Sequence, residues 1–165
     1  MDGALSDIRS PIVRQGLDYW NTVRGARLMP ARTDLDPVDM IPLLPHVILL
    51  DVLRDPLEFR YRLIGTITEE HMSEPYTGRR LSEIAHQRAP SRIWSCCERV
   101  ATERQPIRGD IPYVGPHRDF ITIEDIMMPL SADGESVDAI FIVVEYIRKA
   151  AIGDGFDEAA GVPTG

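Results

Sequence analysis

The first regular pattern of apolar and polar positions lies near the N-terminus. Ser10 and Pro11 favour a helix start, because a hydroxyl can cap free amide groups and proline suits the first helical position. Apolar residues then recur at three- and four-residue intervals, at Val13, Leu17, Trp20 and Val23. The spacing predicts an amphipathic helix from residue 11 to about Arg27, ended by Pro30.

Two short apolar stretches follow and predict a β-hairpin. Val47–Leu50 is a run of strand length, and Asp55-Pro56 indicates a tight turn a few residues later. Phe59, Tyr61 and Leu63 then alternate with polar or outward residues, so we expect these three side chains on the inner face of a second strand.

The middle of the chain has helical rather than strand periodicity. Residues 66–72 predict a short helix, residues 77–84 lead into another, and Ser91 precedes a longer one that Gln105-Pro106 ends. The longer helix has one apolar face, formed by Ile93, Trp94, Cys97, Val100 and Ala101.

The last third of the chain predicts strands. Residues 107–114 form a weak strand candidate, 120–128 a strong one that ends before Pro129, and 137–146 the most apolar one. Residues 132–135 carry the Asp-Gly signal of a hairpin turn. The element order predicts an α+β fold with an antiparallel sheet and its helices on one side.

The same pattern predicts three regions. Residues 1–45 hold the N-terminal amphipathic helix and a proline-rich connector, 46–148 form the sheet domain, and 149–165 form a flexible acidic tail.

Composition narrows the class of function. The formal net charge of −8 argues against nucleic acid as a partner, because phosphate binding needs a basic face. No apolar run approaches the ~20 residues that cross a bilayer, and the N-terminus has no secretory signal pattern. Cys96 and Cys97 are the only cysteines and are adjacent, which does not suggest a disulfide framework. We expect a cytoplasmic protein without membrane contact.

The histidines do not have the spacing of a metal site. His46, His71, His86 and His117 stand apart in the sequence. His71 follows Gly65 on or near a predicted short helix, where a lone histidine is usually exposed or caps the helix.

Several motifs together resemble the PAS domain, and more specifically the stand-alone PAS family common in alphaproteobacteria. They lie between residues 17 and 147 and are Tyr19-Trp20, Arg24–Arg27, Pro30–Pro37, Ile41–Pro45, Leu49–Val52, Phe59–Thr66, Thr77–Arg79 and Met128–Leu130. The resemblance implies a five-stranded antiparallel sheet in the order 2-1-5-4-3, with short helices on one face and a flanking N-terminal helix. It also implies a sensory or adaptor module without chemistry of its own.

The resemblance does not name a cofactor. PAS domains hold haem, flavins, carboxylic acids or nothing, and the Asn-Cys-Arg-Phe-Leu motif of light-sensing members is absent. It places the ligand space between the sheet and the short helices, where the candidate lining residues are Tyr61, Leu63, His71, Trp94, Cys97, Ile140 and Ile142. The alternative is that these side chains fill an ordinary core.

Two function classes follow. In the first, a small molecule enters the core and changes a contact surface, which makes the chain a sensor. In the second, the core is filled and the chain is a ligand-free adaptor for a signalling protein. In both, the N-terminal helix is the expected surface for a homodimer or a protein partner, through Val13, Leu17, Tyr19, Trp20 and Val23.

Two further constellations have alternative interpretations. The charged residues of the connector could bind an anion or form an internal salt-bridge network; they are Arg24, Arg27, Arg32, Asp34 and Asp36. Asp51 and Tyr61 could be imagined as the base and donor of an isomerase, but a turn environment gives Asp51 no reason for a raised pKa. We expect no enzymatic activity.

Overall fold

The computed structural model describes residues 5–115 and 121–148. Its helices and strands are α1 (Pro11–Arg24), β1 (Val47–Leu53), β2 (Glu58–Ile64), α2 (Thr66–Glu70), α3 (Arg92–Glu103), β3 (Ile121–Leu130) and β4 (Ala139–Arg148). Short 3-10 turns lie at Leu5–Asp7, Arg32–Asp34, Pro37–Met40, Leu44–His46 and Leu81–Glu83. His117, Phe120 and the predicted tail 149–165 lie outside the described residues.

Helix α1 begins and ends for local reasons. The Ser10 hydroxyl accepts a hydrogen bond from the Val13 amide at 3.1 Å, and Pro11 occupies the first turn. The helix ends at Arg24 rather than the predicted Arg27, because Gly25 takes a φ of 59°. That left-handed backbone favours glycine and stops the helix.

The sheet is antiparallel with the strand order β2-β1-β4-β3. The fold is therefore α+β, as predicted, but the described residues form four strands and not five. The missing strand is 107–114, which contributes only the bridge between Ile107 and Met127. Beyond that bridge the amides of Gly109 and Asp110 bond to the Asp125 side chain instead of a strand backbone.

Strand β3 also extends further than predicted, through Pro129 to Leu130. Pro129 lies opposite Ile140 on β4. Proline is tolerated there because β3 lies at the edge of the sheet. Its carbonyl accepts a hydrogen bond from the indole nitrogen of Trp20 at 2.8 Å, which joins α1 to the sheet.

A β-bulge changes the inner face of the hairpin. Leu49 pairs with Leu63 and Leu50 pairs with Tyr61, so Arg62 is an extra residue on β2. Tyr61 therefore faces inward with Leu50, whereas Leu63 faces the opposite side and is 44% exposed. The expectation that Leu63 alternates inward with Phe59 and Tyr61 is wrong, because the bulge reverses the alternation.

Opposite faces of β3 and β4 contact different helices. Helix α1 packs on one face, where a Cβ built on Gly16 would lie 2.6 Å from Val143 Cγ2, so only glycine fits at this crossing. Helix α3 packs on the other face, and its Cys96 thiol donates to the Gly109 carbonyl. Strands β3 and β4 therefore lie between α1 and α3.

Two glutamates fix the start of α1 on the sheet. Glu124 and Glu145 are cross-strand neighbours on β3 and β4. A Glu124 oxygen accepts the amides of Arg9 and Ser10 at 2.9 and 2.7 Å, and Glu145 accepts the Ser10 hydroxyl. Across residues 5–115 and 121–148, none of the helices has the length and apolarity needed to cross a bilayer.

Candidate functional site

A cavity of about 100 Å³ lies between the sheet and the elements that cover its inner face. Its floor comes from β1, β2, β3 and β4, and its walls from residues 71–76, residues 86–93 and residues 111–115. The side chains that give it its chemistry are Tyr61, His71, Tyr76, Gln87, Tyr113, Asp125 and Tyr146.

Three aromatic rings form one end of the cavity. His71, which ends α2, stacks on Tyr146 of β4 with ring centroids 4.0 Å apart and planes 19° apart. The hydroxyl of Tyr113 lies 3.0 Å from His71 Nδ1, and its ring meets Tyr146 edge to face at 5.8 Å. These contacts join a helix end, a loop and a strand that are distant in sequence.

Gly115 allows the loop to close against this end of the cavity. A Cβ built on Gly115 would lie 2.4 Å from the His71 carbonyl oxygen and 2.4 Å from the Tyr113 hydroxyl. Both distances are far below van der Waals contact, so any side chain at this position would push residues 111–115 away from α2.

A second polar group lies deeper in the cavity. The Tyr61 hydroxyl donates to the Gln87 side-chain oxygen at 2.7 Å, and the Tyr61 ring stacks on Tyr76 at 5.8 Å. Burial raises the pKa of Tyr61 well above its ordinary value. Tyr61 is therefore a neutral hydrogen-bond donor, and Gln87 satisfies it.

Asp125 places a carboxyl group in an otherwise largely apolar part of the sheet. Its side chain is buried and accepts the amide hydrogens of Gly109 and Asp110 at 2.6 and 3.2 Å. Burial raises the pKa of Asp125 to about 6, although these backbone hydrogen bonds act in the opposite direction.

The Tyr146 hydroxyl is the open polar group of the site. Within residues 5–115 and 121–148 it has no hydrogen-bond partner, whereas the hydroxyls of Tyr61 and Tyr113 both have one. Burial raises the pKa of Tyr146, with the neighbouring Tyr113 and Asp125 adding to the effect. A neutral phenol beside a buried carboxyl group can donate to or accept from a small molecule.

The structure brings together three of the seven residues predicted to bind a ligand. Tyr61, His71 and Ile142 line the cavity. Trp94 instead packs edge to face on Phe59 at 5.0 Å.

The other three predicted ligand residues do not line the cavity either. Cys97 and Ile140 are fully buried in the core, and Leu63 lies on the outer side of the bulge. Burial raises the pKa of the Cys97 thiol, which makes it a poor nucleophile.

Sequence reasoning missed Asp125, Gln87, Tyr113 and Tyr146. Asp125 could have been found from the sequence, because it occupies the same strand face as Ile123 and Met127 in a largely apolar strand. Tyr113 could not be found this way, since its position depends on a loop that the pattern predicts as a strand.

The predicted interface residues divide into two groups. Val13, Leu17 and Trp20 are buried against the chain's own sheet, so a second subunit could contact them only if α1 left that sheet. Tyr19 and Val23 are half-buried at the side of the helix, and the Tyr19 hydroxyl accepts the Asp36 amide at 2.9 Å.

The charged connector forms internal contacts. Arg27 and Asp34 form a salt bridge of 2.8 Å, and Asp34 also accepts the Ala31 amide. That backbone hydrogen bond and Arg27 lower the pKa of Asp34. Arg24 bonds to Asn21 and lies 5.4 Å from the centre of the Trp20 ring. These contacts fit the interpretation of the segment as an internal salt-bridge network.

Asp51 likewise has an ordinary structural environment. It lies on β1 and forms salt bridges with Arg60 at 3.1 Å and Arg62 at 3.6 Å on β2. Tyr61 faces the other side of the sheet. The imagined pairing of Asp51 with Tyr61 as base and donor is therefore wrong, because the two side chains lie on opposite faces.

Among the described residues no group of three histidine, cysteine or acidic side chains could hold a metal ion. No curated protein matches the sequence. A family model for the PAS domain matches residues 8–144, which include α1, β1, β2, β3, the first part of β4 and every cavity residue except Tyr146. The chain therefore belongs to the PAS domain family, whose members are generally sensory or interaction modules.

Proposed function

We propose that this PAS domain is a non-catalytic sensor that binds a small molecule in the cavity and signals through protein contacts. The observation that carries the proposal is the half-buried Tyr146 side chain, which lines the cavity with Asp125 and whose hydroxyl has no hydrogen-bond partner among the described residues. A hydroxyl that lines a cavity without a protein partner is available to hydrogen-bond a ligand.

The strands provide a route from the cavity to the surface. Val144 and Tyr146 of β4 face the cavity, while the alternating residues Val143 and Glu145 face α1. A ligand that moves the inner side chains of β4 would act on the strand that holds α1. The output would then be a change in how α1 lies on the sheet.

The contact surface follows from this route. Because the inner face of α1 is occupied by its own sheet, the side of the helix with Tyr19 and Val23 is the part open to a second copy or a signalling partner. V23D should shift the mass measured by light scattering from dimer to monomer. A wild-type monomer at high concentration would contradict the homodimer.

A ligand-free adaptor is the second candidate, and the size of the cavity favours it. The volume of about 100 Å³ is well below the ~300–1,000 Å³ of ordinary ligand pockets. Two of the polar pairs in it, Tyr61 with Gln87 and His71 with Tyr113, already satisfy each other. The adaptor would use the same α1 surface without a ligand.

Native mass spectrometry of protein purified without denaturation distinguishes the candidates. A small molecule released on denaturation would support the sensor. The ligand should be lost in I123F, which fills the cavity from the half-buried Ile123 on β3. It should remain in I147F, the same change on the opposite sheet face. An apo mass for all three proteins would support the adaptor.

A further inference from the structure

We propose that the ligand is a small organic cation, a protonated amine whose ammonium group lies among the tyrosine rings and pairs with the Asp125 carboxylate. The inference rests on the proposed function, because it assumes that a ligand enters the cavity. It goes further in that it assigns the ligand a charge and a chemical class.

The charge of the cavity is the first argument. Asp125 is the one aspartate or glutamate in the described lining, and the described lining contains no arginine or lysine. A buried carboxylate is unfavourable unless a cation or several hydrogen bonds compensate it. The backbone amides of Gly109, Asp110 and Ile111 compensate it in part, and an ammonium group would add the opposite charge that they lack.

The aromatic lining is the second argument. Tyr61, Tyr113 and Tyr146 all border the cavity, and cations are attracted to the electron-rich faces of such rings. The Tyr146 hydroxyl can accept a hydrogen bond from an ammonium group. An anionic ligand of the same size would meet the Asp125 carboxylate, and the described lining has no arginine or lysine to offset that repulsion.

Several other ionisable groups lie near Asp125, and their charges could also affect how a ligand binds. They are Asp110 in the loop, Tyr146 on β4, Arg92, Cys96 and Cys97 on α3, and His71 and His86 in the other walls. A pH series alone changes more than one of these groups, so the test needs a variant in which only Asp125 is made neutral.

The test compares three probes that share one branched carbon skeleton: isobutylamine, isobutanol and isobutyrate. Binding to the full chain is followed at about pH 7.5 by NMR shifts of the Ile123, Met127 and Val144 methyl groups, which line the cavity. We expect isobutylamine to bind at least about tenfold more tightly than isobutanol, and isobutyrate to bind most weakly.

Two variants and a change of pH test whether Asp125 causes the preference for the amine over the alcohol. D125N should reduce the ratio of amine to alcohol affinity to within about threefold, while isobutanol still binds. E103Q removes the same charge at an exposed position at the end of α3 and should leave the ratio unchanged. In the wild type the ratio should also fall toward the D125N value at about pH 5, and D125S, which removes the same charge, replaces D125N if that variant does not fold.

Each outcome has a distinct meaning. Isobutanol or isobutyrate binding as tightly as the amine at these methyl groups would overturn the cation assignment and leave the sensor proposal in place. No shift at these methyl groups with any probe at tens of millimolar would overturn both. An amine preference that persists in D125N would show that Asp125 does not create it and would also overturn the assignment.

Discussion

The burial of Asp125 predicts a specific loss of stability as the pH rises. The pKa of its carboxyl group is about 6 in the folded chain. In the unfolded chain we take the ordinary aspartate value of 3.8. Below about pH 3 the carboxyl group is protonated in both states and has no effect. Between about pH 4 and 6 the unfolded state releases the proton while the folded state keeps it, so the free energy of unfolding falls.

The size of the effect follows from the two values. They differ by about 2 pH units, and each unit corresponds to about 1.4 kcal/mol, so the loss is about 3 kcal/mol and is complete above about pH 7. The direction is opposite to that of a salt-bridged aspartate, whose stabilisation grows with pH. The loss is also what a bound cation would recover.

Urea unfolding of the wild type and D125N between pH 4 and 8 measures this term. Asparagine keeps the shape and one oxygen acceptor for the amides of Gly109 and Asp110, so the variant should fold. The stability of D125N relative to the wild type should increase by about 3 kcal/mol from pH 4 to 7.5. A difference that does not change with pH would refute the assigned burial of the carboxylate.

Three further predictions concern the framework around the site. W20F should lower the free energy of unfolding by about 1–3 kcal/mol, because the Pro129 carbonyl loses its buried donor. Y61F should cost a similar amount, since the Gln87 oxygen loses its partner, and the cost should nearly vanish in a Y61F/Q87L double variant if the hydrogen bond is the cause. V13D should unfold the chain or detach α1, seen as a loss of cooperative thermal melting. A stable folded monomer instead would show that Val13 is an interface residue and not part of the core.

Much of the fold can be predicted because its signals are local. The capping hydroxyl of Ser10 and the apolar spacing of Val13, Leu17 and Trp20 determine α1 within one stretch of chain. The hairpin is also local. The bulge at Arg62 is not, because which residue is skipped depends on how both strands pack, and this is why the predicted position of Leu63 is wrong.

The site is harder to predict because it depends on long-range pairing. The segment 107–114 has strand-forming residues, but the Gly109 amide donates to the side chain of Asp125 and not to the backbone of a strand. Asp125 lies 16 residues further along the chain, so a local pattern does not reveal this contact. Tyr113 reaches the cavity only because that segment is a loop. Tyr61 and His71 could be found because each lies on or beside a short element that the sequence marks clearly.

The central claim is that the cavity holds a small molecule, and a crystal structure of protein purified without denaturation tests it most directly. We expect compact non-protein electron density between His71, Asp125 and Tyr146, within hydrogen-bond distance of the Tyr146 hydroxyl. A cavity that contains only discrete water molecules, or that is closed by inward movement of its side chains, would contradict the account.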